Sequence, residues 1–341
     1  MVPNSTSEPS PPRSNYLYWV IALVLAAVLL YYSLRGIDWN QVWVTLKATR
    51  LEYVGWMVLA TTVSLLLRAF RWCVLLRAGG RVPFATAFWA TCAGYFGNSY
   101  LPARAGELIR TMAVDAETGI GRAFVLTTAL AERITDAISL VLISSLVLLT
   151  LPVRPGWYEA AARPFAIVGL CGAIGIAVLP KLDRLWHSLL ARAPVPERFR
   201  GALTRILDQI LNGLRAFHDA RRLFTFLGLT VVIWFMDAVG AILAARSLDM
   251  NLELPVAYLL LTGLGLGSAL PSTPGYVGIY QFVAVEVLMP FGFQRAPVIA
   301  LTLLLQTLNY VSTGIWGLLA LMRFRRRNVP AAGELTSRSS R

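Results

Sequence analysis

Histidine, cysteine and acidic side chains are all scarce in this sequence, with two His, three Cys and 18 Asp plus Glu among 341 residues. A zinc site needs His and Cys clustered at ligand spacing, and a disulfide framework needs paired Cys. Cys73, Cys92 and Cys171 offer neither; they fall in or beside apolar segments and read as small buried hydrophobes. His187 and His218 stand apart in one hydrophilic stretch and read as ordinary surface residues. No metal or cofactor is indicated. A G-x-x-x-x-G-K-[ST] loop is also missing, which removes ATP hydrolysis by this chain as a driving force. No nucleophile and base constellation is present, so the chain is not expected to be an enzyme.

Charge of either sign is thin. Charged residues make up 14% and hydrophobic residues 57%, where a soluble domain carries about a quarter charged. The mean hydropathy of +0.62 points the same way. A net charge of +13 does not signal nucleic acid, because the Lys and Arg residues sit in short stretches between apolar runs and not in a face interleaved with stacking aromatics. They act as topology signals in an all-α integral membrane protein.

About 20 apolar residues cross a hydrocarbon core roughly 30 Å thick. That rule marks six full spans near 17–34, 53–76, 125–151, 164–180, 223–245 and 298–322. The first is read as an uncleaved helix, since its preceding region is weakly charged and no small-residue cleavage site leads into a polar domain. Two further apolar regions, 84–103 and 256–290, are broken by Gly94, Gly97 and Pro102 and by Pro271, Pro274 and Gly275, and read as re-entrant or paired-helix segments. Residues 1–15 form a Pro- and Ser-rich disordered tail, 16–322 the polytopic membrane domain, and 323–341 a basic disordered tail.

The stretch 181–222 carries nine Lys or Arg and is expected to face the cytoplasm, as is the Arg-rich C-terminus. Counting spans from there places both termini in the cytoplasm of a cell inner (plasma) membrane protein. It also places 35–52 outside despite Arg35, Lys47 and Arg50. Apolar Leu203, Ile206, Leu207, Ile210, Leu211, Leu214 and Phe217 recur at helical spacing within 197–217, which reads as an amphipathic helix along the inner surface, with partner binding as the competing view.

An internal echo joins the broken regions: Leu101-Pro102-Ala103-Arg104-Ala105-Gly106 and Leu270-Pro271-Ser272-Thr273-Pro274-Gly275 share L-P-x-x-x-G, in segments that the span count places in opposite orientations. Matching broken segments in inverted halves point to a transporter's substrate site near the midplane. Ionisable residues at depth are costly and persist when paired or useful. Around the first echo these are Arg68, Arg71, Arg104, Glu107 and Arg110, with Asn98 beside them. Arg68, Arg71 and Arg110 can alternatively be snorkelling or positive-inside residues. Glu132, Arg133 and Asp136 lie about 15 Å into a span, as either a structural ion-pair network or a headgroup site. Asp237 and Glu286 are lone candidates for a proton relay or polar pocket.

These residues carry a resemblance. Arg68-Ala-Phe-Arg71-Trp72, Asn98-x-x-Leu101-Pro102-x-Arg104-x-Gly106-Glu107-x-x-Arg110, Glu132-Arg133-x-x-Asp136 and Leu270-Pro-Ser-Thr-Pro-Gly275-x-x-Gly278 together resemble the flippase-like transmembrane family typified by the membrane domain of lysylphosphatidylglycerol synthase. The resemblance runs from about Leu17 to Leu321. It departs at Gln281, where members often carry Glu, and at Gln306, where they often carry Arg. The soluble aminoacyl-transfer domain of the two-domain synthases is absent, with only about 19 residues after the last span, so lipid aminoacylation is not expected.

The likeness implies movement of a membrane lipid between leaflets, an anionic phospholipid or a polyprenyl-linked carrier. Arg104, Arg110 and Arg68 or Arg71 would hold the headgroup, oriented by Glu107, Glu132 and Asp136, with Pro271, Pro274 and Gly275 in the facing segment. The competing reading is a non-transporting accessory of a lipid-synthesis or glycosyl-transfer enzyme, docking through 181–222.

Overall fold

A computed structural model describes residues 34–101, 105–150, 178–192, 197–268 and 276–328, with isolated positions from 28 to 32 and from 167 to 175. Among these residues the fold is all-helical. The expected spans 17–34 and 164–180 lie mostly outside them, as do Pro102, Arg104, Pro271, Pro274 and Gly275.

Eleven α-helices are described: α1 Trp39–Lys47, α2 Leu51–Leu76, α3 Phe84–Tyr100, α4 Gly106–Thr118, α5 Arg122–Thr150, α6 Asp183–Arg192, α7 Glu197–Arg215, α8 Ala220–Ser247, α9 Leu254–Gly267, α10 Ile279–Leu288 and α11 Arg295–Asn328. Three have the length and apolarity to cross a bilayer: α2, α8 and the stretch Arg295–Arg325 of α11. At 29 residues α5 is as long, but it carries Glu132, Arg133 and Asp136 along its middle.

The first broken region is two helices, α3 and α4, packed antiparallel; the second is α9 and α10, of 14 and 10 residues, each too short to cross alone. Gly94 and Gly97 do not break α3, which runs unbroken to Tyr100. Their role is close approach. A Cβ on Gly97 would lie 2.7 Å from Gly106 Cα, and one on Gly94 3.1 Å from the Arg110 side chain. Gly106 N–H donates to Asn98 Oδ1 at 3.1 Å, which ties the start of α4 to the end of α3.

Packing repeats between the halves. Helix α2 lies along α8; α3 packs on α4 and α11, and α9 on α10 and α5; α4 packs on α5, and α10 on α11. Exchanging α2 with α8, α3 with α9, α4 with α10 and α5 with α11 therefore reproduces the same set of neighbours. The pattern extends to the helix before each half, because α1 packs on α11 and α7 on α5. Gln41 of α1 bonds Gln294 just before α11, and Gln209 of α7 accepts from Ala123 N–H at the start of α5.

The ends of the helices show that the two halves are inverted. At one end Arg50 N–H donates to Ser247 O and Arg295 to Arg35 O, joining the start of α2, the close of α8 and the start of α11. At the other, Phe124 abuts Gly79, and Thr86 bonds Glu117, joining the close of α2 and α4 with the starts of α3 and α5. Thus the α3–α4 pair enters from one end and the α9–α10 pair from the other. A buried apolar core of Ala, Val, Leu and Ile from α8, α9, α10 and α11 fills the second half, while Trp72, Cys73, Leu76 and Val125 centre the first.

Helix α7 packs one face on α5. Leu211 and Leu214 are buried, and Gly213 lets Thr127 of α5 approach closely. Its outer apolar residues, Leu203, Ile206 and Ile210, stay exposed. Cys73 and Cys92 are buried as expected, whereas Cys171 is exposed.

Candidate functional site

Arg71 is the fixed point of the site. It sits about one turn and a half before the end of α2 and is 0% exposed. A guanidinium with no water must spend its N–H groups inside the protein. Nη1 donates to Asp136 Oδ1 at 2.6 Å and to Thr230 Oγ1 at 2.9 Å, and Nη2 to Glu132 Oε1 at 2.8 Å and Asp136 Oδ2 at 2.9 Å. Its plane lies over Phe226, 4.8 Å from the ring centroid. Glu132 and Asp136 can clasp one arginine because they are one helical turn apart on α5.

From Arg71 the charges alternate in both directions. Toward α4, Arg110 Nη1 pairs with Glu132 Oε2 at 3.0 Å and Nη2 with Glu107 Oε2 at 2.5 Å, over the face of Trp72. The Arg110–Glu107 contact is an ion pair whose angles do not make a hydrogen bond, so Oε2 of Glu107 has no donor. Glu107 Oε1 receives Arg133 Nε at 3.0 Å and Asn98 Nδ2 at 3.3 Å. Toward α8, Arg68 approaches Asp136 at 3.9 Å and pairs directly with Asp237, whose other oxygen accepts from Ser64 at 2.6 Å. The resulting chain is Asp237–Arg68–Asp136–Arg71–Glu132–Arg110–Glu107–Arg133.

Eight side chains on α2, α4, α5 and α8 thus form one network with four charges of each sign. It joins Arg68, Arg71, Glu107, Arg110, Glu132, Arg133, Asp136 and Asp237, which the sequence singles out separately, and Asn98 of α3 bonds its edge at Glu107. Arg104, Pro271, Pro274 and Gly275 lie outside the described residues. Arg71 and Arg110 do not snorkel, because both are buried and paired. Nor is Asp237 alone. Ser64, Thr230 and Tyr95 enter the site unannounced; the one available signal was Ser64 standing one helical turn before Arg68. Glu286 stays exposed on α10 and joins no described ion pair.

A buried polar contact also joins α10 to α11, the helix pair that corresponds to α4 and α5. Gln281 Oε1 accepts from Gly278 N–H at 2.8 Å, and its amide nitrogen donates to Gln306 Oε1, both side chains being buried. The first half closes with charge and the second with neutral amides.

The transmembrane region of lysylphosphatidylglycerol synthase matches this chain over residues 19–317. The chain belongs to that family. This family member is also similar to two curated proteins. It is 25% identical over 312 residues to the glycosyltransferase AglD of Haloferax volcanii, covering 82% of this chain and 50% of that one. It is 22% identical over 335 residues to the UPF0104 membrane protein PH1989 of Pyrococcus horikoshii, covering 90% and 96%. The chain therefore spans about half the length of the first relative and nearly all of the second.

Proposed function

We propose that this chain moves a lipid, or a lipid-linked anionic headgroup, between the leaflets of the inner (plasma) membrane. The observation that carries the reading is the ion-pair chain at the seam of two inverted halves. It ties α4, one arm of the first helix pair, to α2, α5 and α8, at a depth where unpaired charge is costly. A scaffold gains little from four arginines inside hydrocarbon, whereas a path for a polar headgroup needs them. The inverted halves supply two pairs of short helices that enter from opposite ends, in keeping with the architecture in which a midplane site is exposed alternately.

The end bearing α6 and α7 faces the cytoplasm, because nine Lys or Arg crowd residues 181–222. Helix α1 then lies at the outer surface. Its exposed Trp39 and Trp43 are interface anchors there. Both termini are cytoplasmic, and the chain is a carrier and not an enzyme.

One observation favours a second reading. In AglD the shared segment is only half of a protein named a glycosyltransferase, so a membrane unit of this kind can accompany such an enzyme, and this chain would then serve one through its cytoplasmic surface. Reconstituted vesicles decide between them. Wild type is expected to accelerate exchange of fluorescent phospholipid or polyprenyl lipid between leaflets, and Glu132→Gln, at matched incorporation, to abolish it. Wild type that moves neither class, yet co-purifies in fixed ratio with one synthase, supports the accessory reading.

A further inference from the structure

We infer that the headgroup contact is the free edge of Arg133 and that its ligand is a phosphate-type oxyanion. The inference deepens the translocation reading and rests on it for its biological use. In three of the four network arginines both terminal nitrogens face a carboxylate, and what is left over is the buried Nε of Arg71 and of Arg110, which offers no fork. Arg71 makes four hydrogen bonds and is sealed; Arg110 is held between Glu132, Glu107 and the Ala129 carbonyl; Arg68 is committed to Asp237 with Asp136 behind it. Arg133 differs. Its side chain is 36% exposed, and among the described residues only Nε is engaged, by Glu107. The Nη1 and Nη2 edge makes no described hydrogen bond or ion pair.

That edge is also oriented. Glu107 fixes the Nε side and the Tyr95 ring lies 5.5 Å from the guanidinium carbon, so two parallel N–H vectors are presented by a group with little freedom left to lose. Glu107 divides its charge between Arg133 and Arg110, leaving the free edge net positive. Arg133 lies eleven residues into α5, about 16 Å of rise, close to the middle of a hydrocarbon core roughly 30 Å thick. An open guanidinium fork at that depth fits a tetrahedral oxyanion, which takes two such N–H groups at once; an ammonium would supply charge without the fork. A phosphodiester headgroup and a polyprenyl phosphate share this chemistry.

The test uses the full chain with three fluorescent probes: phosphatidylglycerol, a polyprenyl phosphate, and a phosphate-free glycolipid with matched chains. Binding is read at equilibrium in detergent and exchange in vesicles. Wild type is expected to bind at least one phosphate probe, and the tighter one identifies the source. Arg133→Gln is expected to weaken that binding at least tenfold while leaving the glycolipid unchanged, with Arg133→Lys between. Tyr95→Leu keeps every ion pair and is expected to weaken it severalfold, so the site stays testable where Arg133→Gln does not fold. Phosphate binding unchanged in both Arg133→Lys and Tyr95→Leu, or unchanged in folded Arg133→Gln, overturns the inference without touching the transport reading. Binding that depends on Arg133 in a protein that exchanges no probe does the reverse.

Discussion

Arg68 of α2 and Asp237 of α8 form an ion pair between positions that the internal repeat makes equivalent. Their separation of 169 residues is also the separation of Leu101 from Leu270 in the two L-P-x-x-x-G echoes. Helices related by a two-fold axis meet themselves at the axis, so an identical ionisable residue in both halves would face its own charge. An arginine in one half and an aspartate in the other turns that repulsion into attraction. Removing one partner leaves a poorly solvated charge, so Asp237→Ala is expected to cost about 3 kcal/mol. Arg68→Leu with Asp237→Ala together is expected to cost less than the sum of the two, by 1 kcal/mol or more. Reversible unfolding in detergent measures both; additive costs would show that the pair does not couple.

Arg71 is expected to tolerate nothing. Lysine restores the charge, but its single ammonium cannot reach Asp136, Glu132 and Thr230 in the geometry of a planar fork. Methionine leaves two carboxylates facing each other without their common cation. Both variants are expected to lose about 3–5 kcal/mol and to accumulate poorly in membranes. Expression with a wild-type unfolding midpoint for Arg71→Met would contradict a load carried by this residue.

Glycines at the α3–α4 contact give a stability test independent of charge. A methyl group at Gly106 would overlap the Gly94 carbonyl oxygen, and one at Gly97 would press on Gly106 Cα. Gly106→Ala and Gly97→Ala are each expected to cost about 1–3 kcal/mol or more through forced separation of the two helices. Gly55 sits within α2 with open space around its Cβ direction, so Gly55→Ala is expected to be neutral or mildly stabilising. The contrast is read from melting temperatures of the three variants in one detergent.

These tests trace what the sequence disclosed. Long apolar runs revealed α2, α8 and α11, since hydrocarbon imposes length and composition together, and the placement of Glu132, Arg133 and Asp136 showed that charge inside a span needed partners. Which arginine met which carboxylate was not legible. Arg71 and Glu132 are 61 residues apart, and Arg68 and Asp237 are 169 apart, so their pairing depends on how helices cross and not on local spacing. The glycines of α3 misled for a related reason: loss of helix propensity and permission for close packing leave the same residue in the chain, and only the neighbouring helix shows which applies. Asp237 looked isolated because its partner lies in the other half.

The α6–α7 contact is expected to loosen as pH rises. His187 Nδ1 meets the Asp183 carbonyl at 2.8 Å and Nε2 meets Asp208 at 2.9 Å, and these hydrogen bonds hold its pKa above the ordinary imidazole range. The protonated ring donates at both nitrogens. A raised folded-state pKa means the stabilisation is complete below the unfolded value of about 6.5 and disappears as pH climbs through the folded one. Hydrogen exchange in residues 183–192 is therefore expected to quicken between about pH 6 and 8 beyond the intrinsic rate, and His187→Gln to remove that excess. The Arg215–Asp183 pair keeps the two helices associated throughout.

Gln281 and Gln306 provide the sharpest test of the inverted repeat. They join α10 to α11, the helix pair that corresponds to α4 and α5, and members of the family often carry Glu and Arg at the two positions. If the helix pairs are equivalent, this half accepts an ion pair of the same kind. Gln281→Glu alone places a carboxylate against the Gln306 carbonyl oxygen in a buried position, losing the amide donor and gaining an unpaired charge. That change is expected to cost about 3 kcal/mol. Adding Gln306→Arg supplies a cation on the neighbouring helix and is expected to recover more than half of the loss. Unfolding midpoints of the two singles and the double measure the coupling. A double variant no more stable than Gln281→Glu would mean that α10 and α11 do not meet as α4 and α5 do. Recovery of stability together with slower lipid exchange would instead place the neutral amide pair among the contacts that must open during transport, since an ion pair in hydrocarbon is harder to part than two amides.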